Sequence, residues 1–259
     1  FLYPVKIHVN ERVKGMFHVS TASKANFAAT LAEERLKEAE ALSAQGRLNA
    51  EVRADLQARF EQHVMAQQDH EQKLKEVGDL DSASEANIRL EAVINAHQKI
   101  LTRLRTRDVE KGYEKKAHEI RRLIDAVGGS LEEVVSGKTE IESEVSARAE
   151  IGARASAEGK MKAAKKKIEE VERFVERRKD RLDAEAGLEA KAQLKASQEA
   201  FAEGQAELRA EAYGSAFSSF QEAQSQAQEA KTLIETQQKL DLETRQELNV
   251  RARHDADIQ

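Results

Sequence analysis

Three histidines and a glutamine fall where a helical seam would turn them inward. The stripe Val52, Leu56, Phe60, His63, Gln67, His70, Leu74, Val77 repeats at three and four residues and is apolar at both ends and polar in the middle. A second stripe, Leu90, Ile94, His97, Leu101, Leu104, holds one histidine among aliphatics. A reversal near Leu80 would set His63 opposite His97, with Ala32 and Arg35 of the preceding helix at the same level. Imidazole binds zinc, copper and nickel, and a third ligand could come from Glu34, Gln67 or His70. The candidate metal ligands are therefore His63, His97 and His70, for a divalent transition metal. The same residues read equally as a hydrogen-bonded layer that fixes helix register. That is the commoner outcome, because two imidazoles without a defined third ligand are too few for a structural zinc site. A facing pair could also sense pH, since imidazole titrates near neutrality.

Other chemistries find no residues to carry them. Cysteine is absent, so there is no thiolate ligand, no disulfide and no cysteine nucleophile. No glycine-rich phosphate loop ends in Gly-Lys-Ser/Thr, and no Gly-x-Ser-x-Gly elbow occurs. His70-Glu71 and His118-Glu119 lack a second histidine four residues after the first. No nucleophile, base and oxyanion set can be assembled, so no enzyme and no organic cofactor are expected.

The elements that must position these residues are helices. Tyr3-Pro4 sets an extended start, and a short helix is expected from about Val5 to Phe17. Ser20 or Ser23 then caps a helix over Thr21 to Gln45 that stops at Gly46. A second helix should follow Asn49 and end at Gly78. Ser82-Ala83-Ser84-Glu85 is a capping box, predicting a third from there to Val127, with a kink at Lys111-Gly112 and a stop at Gly128-Gly129. Two further boxes, Ser130 to Glu133 and Thr139 to Glu142, predict a short helix ended by Gly137 and a long one beginning at Thr139. Gly152 and Gly159 weaken that long helix, and Gly187 marks a break. A turn is read at Glu211 to Gly214. A last helix buries Ala216, Phe220, Ala223, Ala227, Ala230 and Ile234 and frays from about Leu242. Short links between long helices force antiparallel neighbours. The fold class is thus all-α, elongated, with an N-terminal segment over 1–19, a three-helix bundle over 20–127 and a second unit of long helices over 128–259.

Composition agrees. The 259 residues include 41 alanines and one proline, and 42 Lys and Arg stand against 47 Asp and Glu. Such near balance gives no basic footprint for nucleic acid. Lys160, Lys162, Lys165, Lys166 and Lys167 form a local basic cluster. The acids that follow it favour a solvated helix face over an anionic partner. No stretch approaches the roughly 20 apolar residues that span a bilayer.

The run Leu2-Tyr3-Pro4-Val5-Lys6, then Glu11-Arg12-Val13, followed by the helix Ala32-Glu33-Glu34-Arg35-Leu36-Lys37-Glu38-Ala39-Glu40-Ala41-Leu42, resembles an uncharacterised bacterial helical domain family. In that family a Leu-Tyr-Pro-x-Lys motif lies just outside a membrane helix. The resemblance covers about residues 1 to 125. It implies an extracytoplasmic domain, tethered to the membrane through an anchor upstream of Phe1, and no catalytic residue. Near the other end, Tyr213, Ala216, Phe220 and Ala223 look like the second helix of a tetratricopeptide repeat, in a single copy. The leading expectation is a non-catalytic cell-envelope domain acting in protein interaction or structure, its protein partner undefined. A metal-binding or metal-sensing bundle using His63 and His97 is the alternative, and a cytoplasmic coiled-coil scaffold a third.

Overall fold

A computed structural model describes residues 20–178 and 184–257, with side chains described up to residue 242. Seven helices and no strand are found among the described residues: α1 (Thr21–Ala44), α2 (Ala50–Glu76), α3 (Leu80–Glu110), α4 (Glu114–Ser146), α5 (Glu150–Glu176), α6 (Ala184–Arg209) and α7 (Tyr213–Asp257). The fold is the expected all-α arrangement of long helices joined by short loops. The expected helix over Val5 to Phe17 lies outside the described residues.

Caps explain the first three starts. The Ser20 hydroxyl accepts from the Ser23 N–H at 3.1 Å, and the Asn49 side chain accepts from the Val52 N–H at 2.9 Å. α3 begins earlier than its capping box, because the Asp79 carboxylate takes the Ser82 N–H at 3.1 Å. Each such cap is worth about 1 kcal/mol.

The third helix also ends earlier than expected. Instead of running to Val127 it reverses at Gly112, whose φ of +72° only glycine adopts freely. The Tyr113 N–H reaches back to the Asp108 carbonyl at 2.8 Å and the Gly112 N–H to Val109 at 2.9 Å, which closes the helix end.

The next correction is of the opposite kind. α4 passes unbroken through Gly128-Gly129 and Gly137, so the boxes at Ser130 and Thr139 start nothing. Its actual ends are Tyr113 and Ala147, and the boundary expected at 127/128 falls in the middle of a helix. Each glycine weakens a helix by about 1 kcal/mol, less than its buried side chains return. Ile120, Leu123, Val127, Val134, Ile141 and Val145 are all at most 1% exposed, and a buried aliphatic contributes about 1.5–3 kcal/mol. Gly187 likewise lies inside α6 rather than at a break. The turn before α7 is where expected, with Glu211 at φ +61°, and α7 continues helical to Asp257 rather than fraying from Leu242.

Two apolar cores result. One joins Ala29, Ala32 and Leu36 of α1, Leu56, Phe60 and Val64 of α2, Leu90, Ile94 and Leu101 of α3 and Ile120, Leu123 and Val127 of α4, with Leu233 and Leu240 of α7. This core draws on four consecutive helices and on α7, where three helices were expected. The other joins Leu74, Leu80, Ile141 and Val145 to the inner faces of α5, α6 and α7. α7 lies along α6 and α5 and also packs on α3. Its expected stripe is all buried, from Ala216 through Phe220 and Ala223 to Ile234. α6 comes so close that a Cβ on Gly204 would stand 2.8 Å from the Phe220 ring.

Candidate functional site

The inward face of α2 is Arg53, Leu56, Phe60, Val64, Gln67, Glu71 and Leu74. Leu56, Phe60, Leu74 and Gln67 are those expected, but Val52 is only partly buried, Val77 at the helix end is exposed, and the stripe turns so that Val64 and Glu71 occupy it. His63 and His70 stand one residue, or about 100° of helix, to its side. Both are only partly buried. The α3 stripe is as expected, with Leu90, Ile94, His97 and Leu101 fully buried.

His97 does not use His63 as its partner. Its Nδ1 lies 2.7 Å from Glu40 Oε1 on α1, and neither side chain is exposed at all. His63 has Arg35 and Arg59 for neighbours. Arg35 was expected at this level, and burial together with these two guanidiniums pushes the imidazole down to about 4. His70 sits beside Asp69 and Lys73, and partial burial lowers it too. Of the expected third ligands, Glu34 is exposed and Gln67 hydrogen-bonds Glu71. Among the described residues no three His, Cys, Asp or Glu side chains gather as a metal ion requires. His63, His97 and His70 therefore do not form a ligand group here.

Burial pushes the Glu40 carboxyl above its usual range, and His97, Lys37 and Arg103 pull it back only in part. The pair links α1 to α3 through one short hydrogen bond inside an aliphatic shell. A second node links α2, α3 and α4. Glu71 Oε2 accepts from Gln67 and Asn87, each at 3.2 Å, and Asn87 also donates to the Val134 carbonyl at 2.9 Å. Burial raises Glu71 as well. Gly137 makes the node possible, since a Cβ there would lie 2.7 Å from Glu71 Oε1.

A third polar layer ties α7 to α3 and α4. Lys138 Nζ donates to Glu222 at 2.7 Å and to Glu91 at 3.2 Å, while the Ser225 hydroxyl donates to Glu91 at 3.1 Å. Lys99 pairs with Glu229 in the same layer. Burial opposes the charge on Lys138, but Glu91 and Glu222 outweigh it and hold the ammonium above its ordinary value. Glu222 is lowered because Lys138 overcomes its burial. Burial wins at Glu229, which is raised.

The basic cluster loses one member to the interior. Lys160 is 3% exposed, with Nζ 3.8 Å from Glu85 and 5.5 Å above the Phe217 ring. Burial lowers its pKa. Lys162, Lys165 and Lys166 face solvent, and Lys167 pairs with Glu170.

The sequence reading missed Glu40, although its burial had a local signal, four residues beyond Leu36 on the seam Ala29, Ala32, Leu36. The partners Lys138, Glu91 and Glu222 had no local signal, because their meeting depends on where α7 crosses α3 and α4.

The matched family bears on the first of these nodes. Residues 1–111 match a domain of unknown function, DUF5667. The matched segment takes in α1 to α3 and the Glu40–His97 pair, and it stops at the residue following α3. It falls short of the span to about residue 125 suggested by the resemblance. The Leu-Tyr-Pro motif lies outside the described residues. No curated protein and no solved structure matches the chain.

Proposed function

We propose that the chain is a non-catalytic domain of the bacterial cell envelope, extracytoplasmic and acting in protein interaction or structure. The observation that carries this reading is the use made of its buried polar groups. Glu40–His97, Glu71–Gln67–Asn87 and Lys138–Glu91–Glu222 each join side chains of different helices. Groups engaged with one another across helices in this way fit a register-fixing role. The match of residues 1–111 to a domain of unknown function is consistent with this and assigns no chemistry. No helix among the described residues is long and apolar enough to cross a membrane; this reading places the tether upstream of Phe1. The likeness of the first six residues to a motif flanking a membrane helix supports that placement. The test is the full-length gene product carrying a C-terminal alkaline phosphatase, an enzyme active only outside the cytoplasm. High phosphatase activity, with release of the domain by protease added to spheroplasts, is the expected result. An inactive fusion together with a protease-resistant domain would refute the envelope assignment.

A further inference from the structure

The outer face of α3 carries a polar stripe beyond the cores. Gln98, Thr102 and Thr106 stand one turn apart along it, and Arg103 and Arg107 stand one turn apart beside them. With Glu110 they form one wall of an open groove of about 660 Å³, and Glu185 and Glu189 in the first two turns of α6 stand on the other. That volume is within the range of small-molecule sites. The threonine hydroxyls donate back into their own helix, Thr102 to the Gln98 carbonyl at 2.8 Å and Thr106 to the Thr102 carbonyl at 3.0 Å. The guanidiniums remain as the donors of this wall.

These donors are underused. Arg103 Nη2 and Arg107 Nε are shut off from water without a hydrogen-bond acceptor, and so is Glu189 Oε2. Arg103 Nη2 stands 3.9 Å from Glu189 Oε2, and Arg107 Nη2 stands 3.6 Å from the carboxylate of its neighbour Asp108. Both gaps exceed the hydrogen-bond range. Lys99, on the same helix, is already paired with Glu229. A guanidinium presents a planar fork that matches phosphate and carboxylate oxygens two at a time. Two such forks one turn apart, with Glu189 held only loosely by Arg103 and with Glu110 and Glu185 also on the lining, make an oxyanion cradle occupied by an internal stand-in.

We propose that the groove between α3 and α6 binds a small molecule through a phosphate or carboxylate group, held by Arg103 and Arg107. The entering oxyanion displaces Glu189 and satisfies the donors that Glu189 reaches poorly. Glu189 thus sets the affinity by competition, while the two arginines supply the recognition. No bond is made or broken.

Calorimetric titration with inorganic phosphate and, separately, with malonate tests this, ionic strength being held constant with sodium chloride. Saturable binding of either anion to the wild-type chain is expected, phosphate alone marking a phosphoryl ligand and both marking a general oxyanion site. Glu189→Gln should bind roughly tenfold tighter, because the competing charge is gone. Arg103→Gln/Arg107→Gln should abolish binding. Arg103 also lies within electrostatic reach of Glu40, so Arg107→Gln alone serves as the milder variant, with binding weakened at least tenfold and an unchanged far-ultraviolet spectrum. Absence of binding by both anions in the wild-type chain and in Glu189→Gln overturns the proposal. So does binding that survives Arg107→Gln undiminished.

Discussion

Replacing either member of the Glu40–His97 pair should have very unequal effects. Both side chains are 0% exposed, and a 2.7 Å hydrogen bond joins them. His97→Ala strands a carboxyl in the aliphatic core and removes an imidazole's volume. Leaving the buried carboxyl without its partner costs about 1–3 kcal/mol, and the cavity left by the ring adds to that. Glu40→Gln keeps the shape and an atom able to bond Nδ1, and it removes an ionisation that burial disfavours, so it should cost no more than about 1 kcal/mol at neutral pH. The pH dependence follows from the direction of the Glu40 shift. Its folded value lies above the unfolded carboxylate value. Its contribution to stability is then complete below the unfolded value and is lost as pH rises through the folded one. Glu71, Glu142 and Glu229 are raised as well and slope the same way, so the informative quantity is the difference between wild type and Glu40→Gln. Urea unfolding followed by circular dichroism at several values between pH 4 and 8 measures it. Glu40→Gln should gain on the wild type as pH rises. A Glu40→Gln loss as large as that of His97→Ala at pH 7.5, and smaller at pH 5, would show a genuine ion pair and refute the reasoning.

Other outcomes follow from close approaches and buried charges. Gly204→Ala should destabilise by about 1–3 kcal/mol through overpacking against Phe220, and Gly137→Ala by a similar amount as Glu71 is pushed from its node; thermal melts of the two variants check both. Lys138→Met leaves Glu91 and Glu222 without their common cation and should cost about 3–5 kcal/mol, whereas Met65→Ala, at a position 61% exposed, should stay within about 0.5 kcal/mol. The His63 ring should titrate near about 4 in a proton NMR series. Its folded value is depressed, so the stability it confers is present above the unfolded histidine value and is lost as pH falls through the folded one. His63→Gln should flatten that acid limb, and an ordinary histidine midpoint near neutrality would contradict the placement beside Arg35 and Arg59.

What the sequence determined by itself was local. Ser20, Asn49, Gly46 and Gly78 mark the ends of the first two helices through hydrogen bonds and dihedral preferences that involve only a few neighbouring residues. The period of the apolar residues named the buried face of α3 and of α7, because a helix repeats its faces whatever packs on them. Where two local signals competed, only tertiary packing could decide. Gly112 became a helix end, whereas Gly128, Gly129 and Gly137 were carried through, since the cores reward burying Ile120 through Val145 on one rod by more than the glycines cost. The turn of α2 that puts Val64 and Glu71 inside, with His63 beside them, was likewise outside the reach of the pattern. A stripe read at three or four residues fixes a face only to within one position, and the neighbouring helices choose between the candidates. Partners such as Glu40 for His97, or Lys138 for Glu91 and Glu222, lie 47 to 84 residues apart. Their meeting is a property of how helices cross, which no short-range rule encodes.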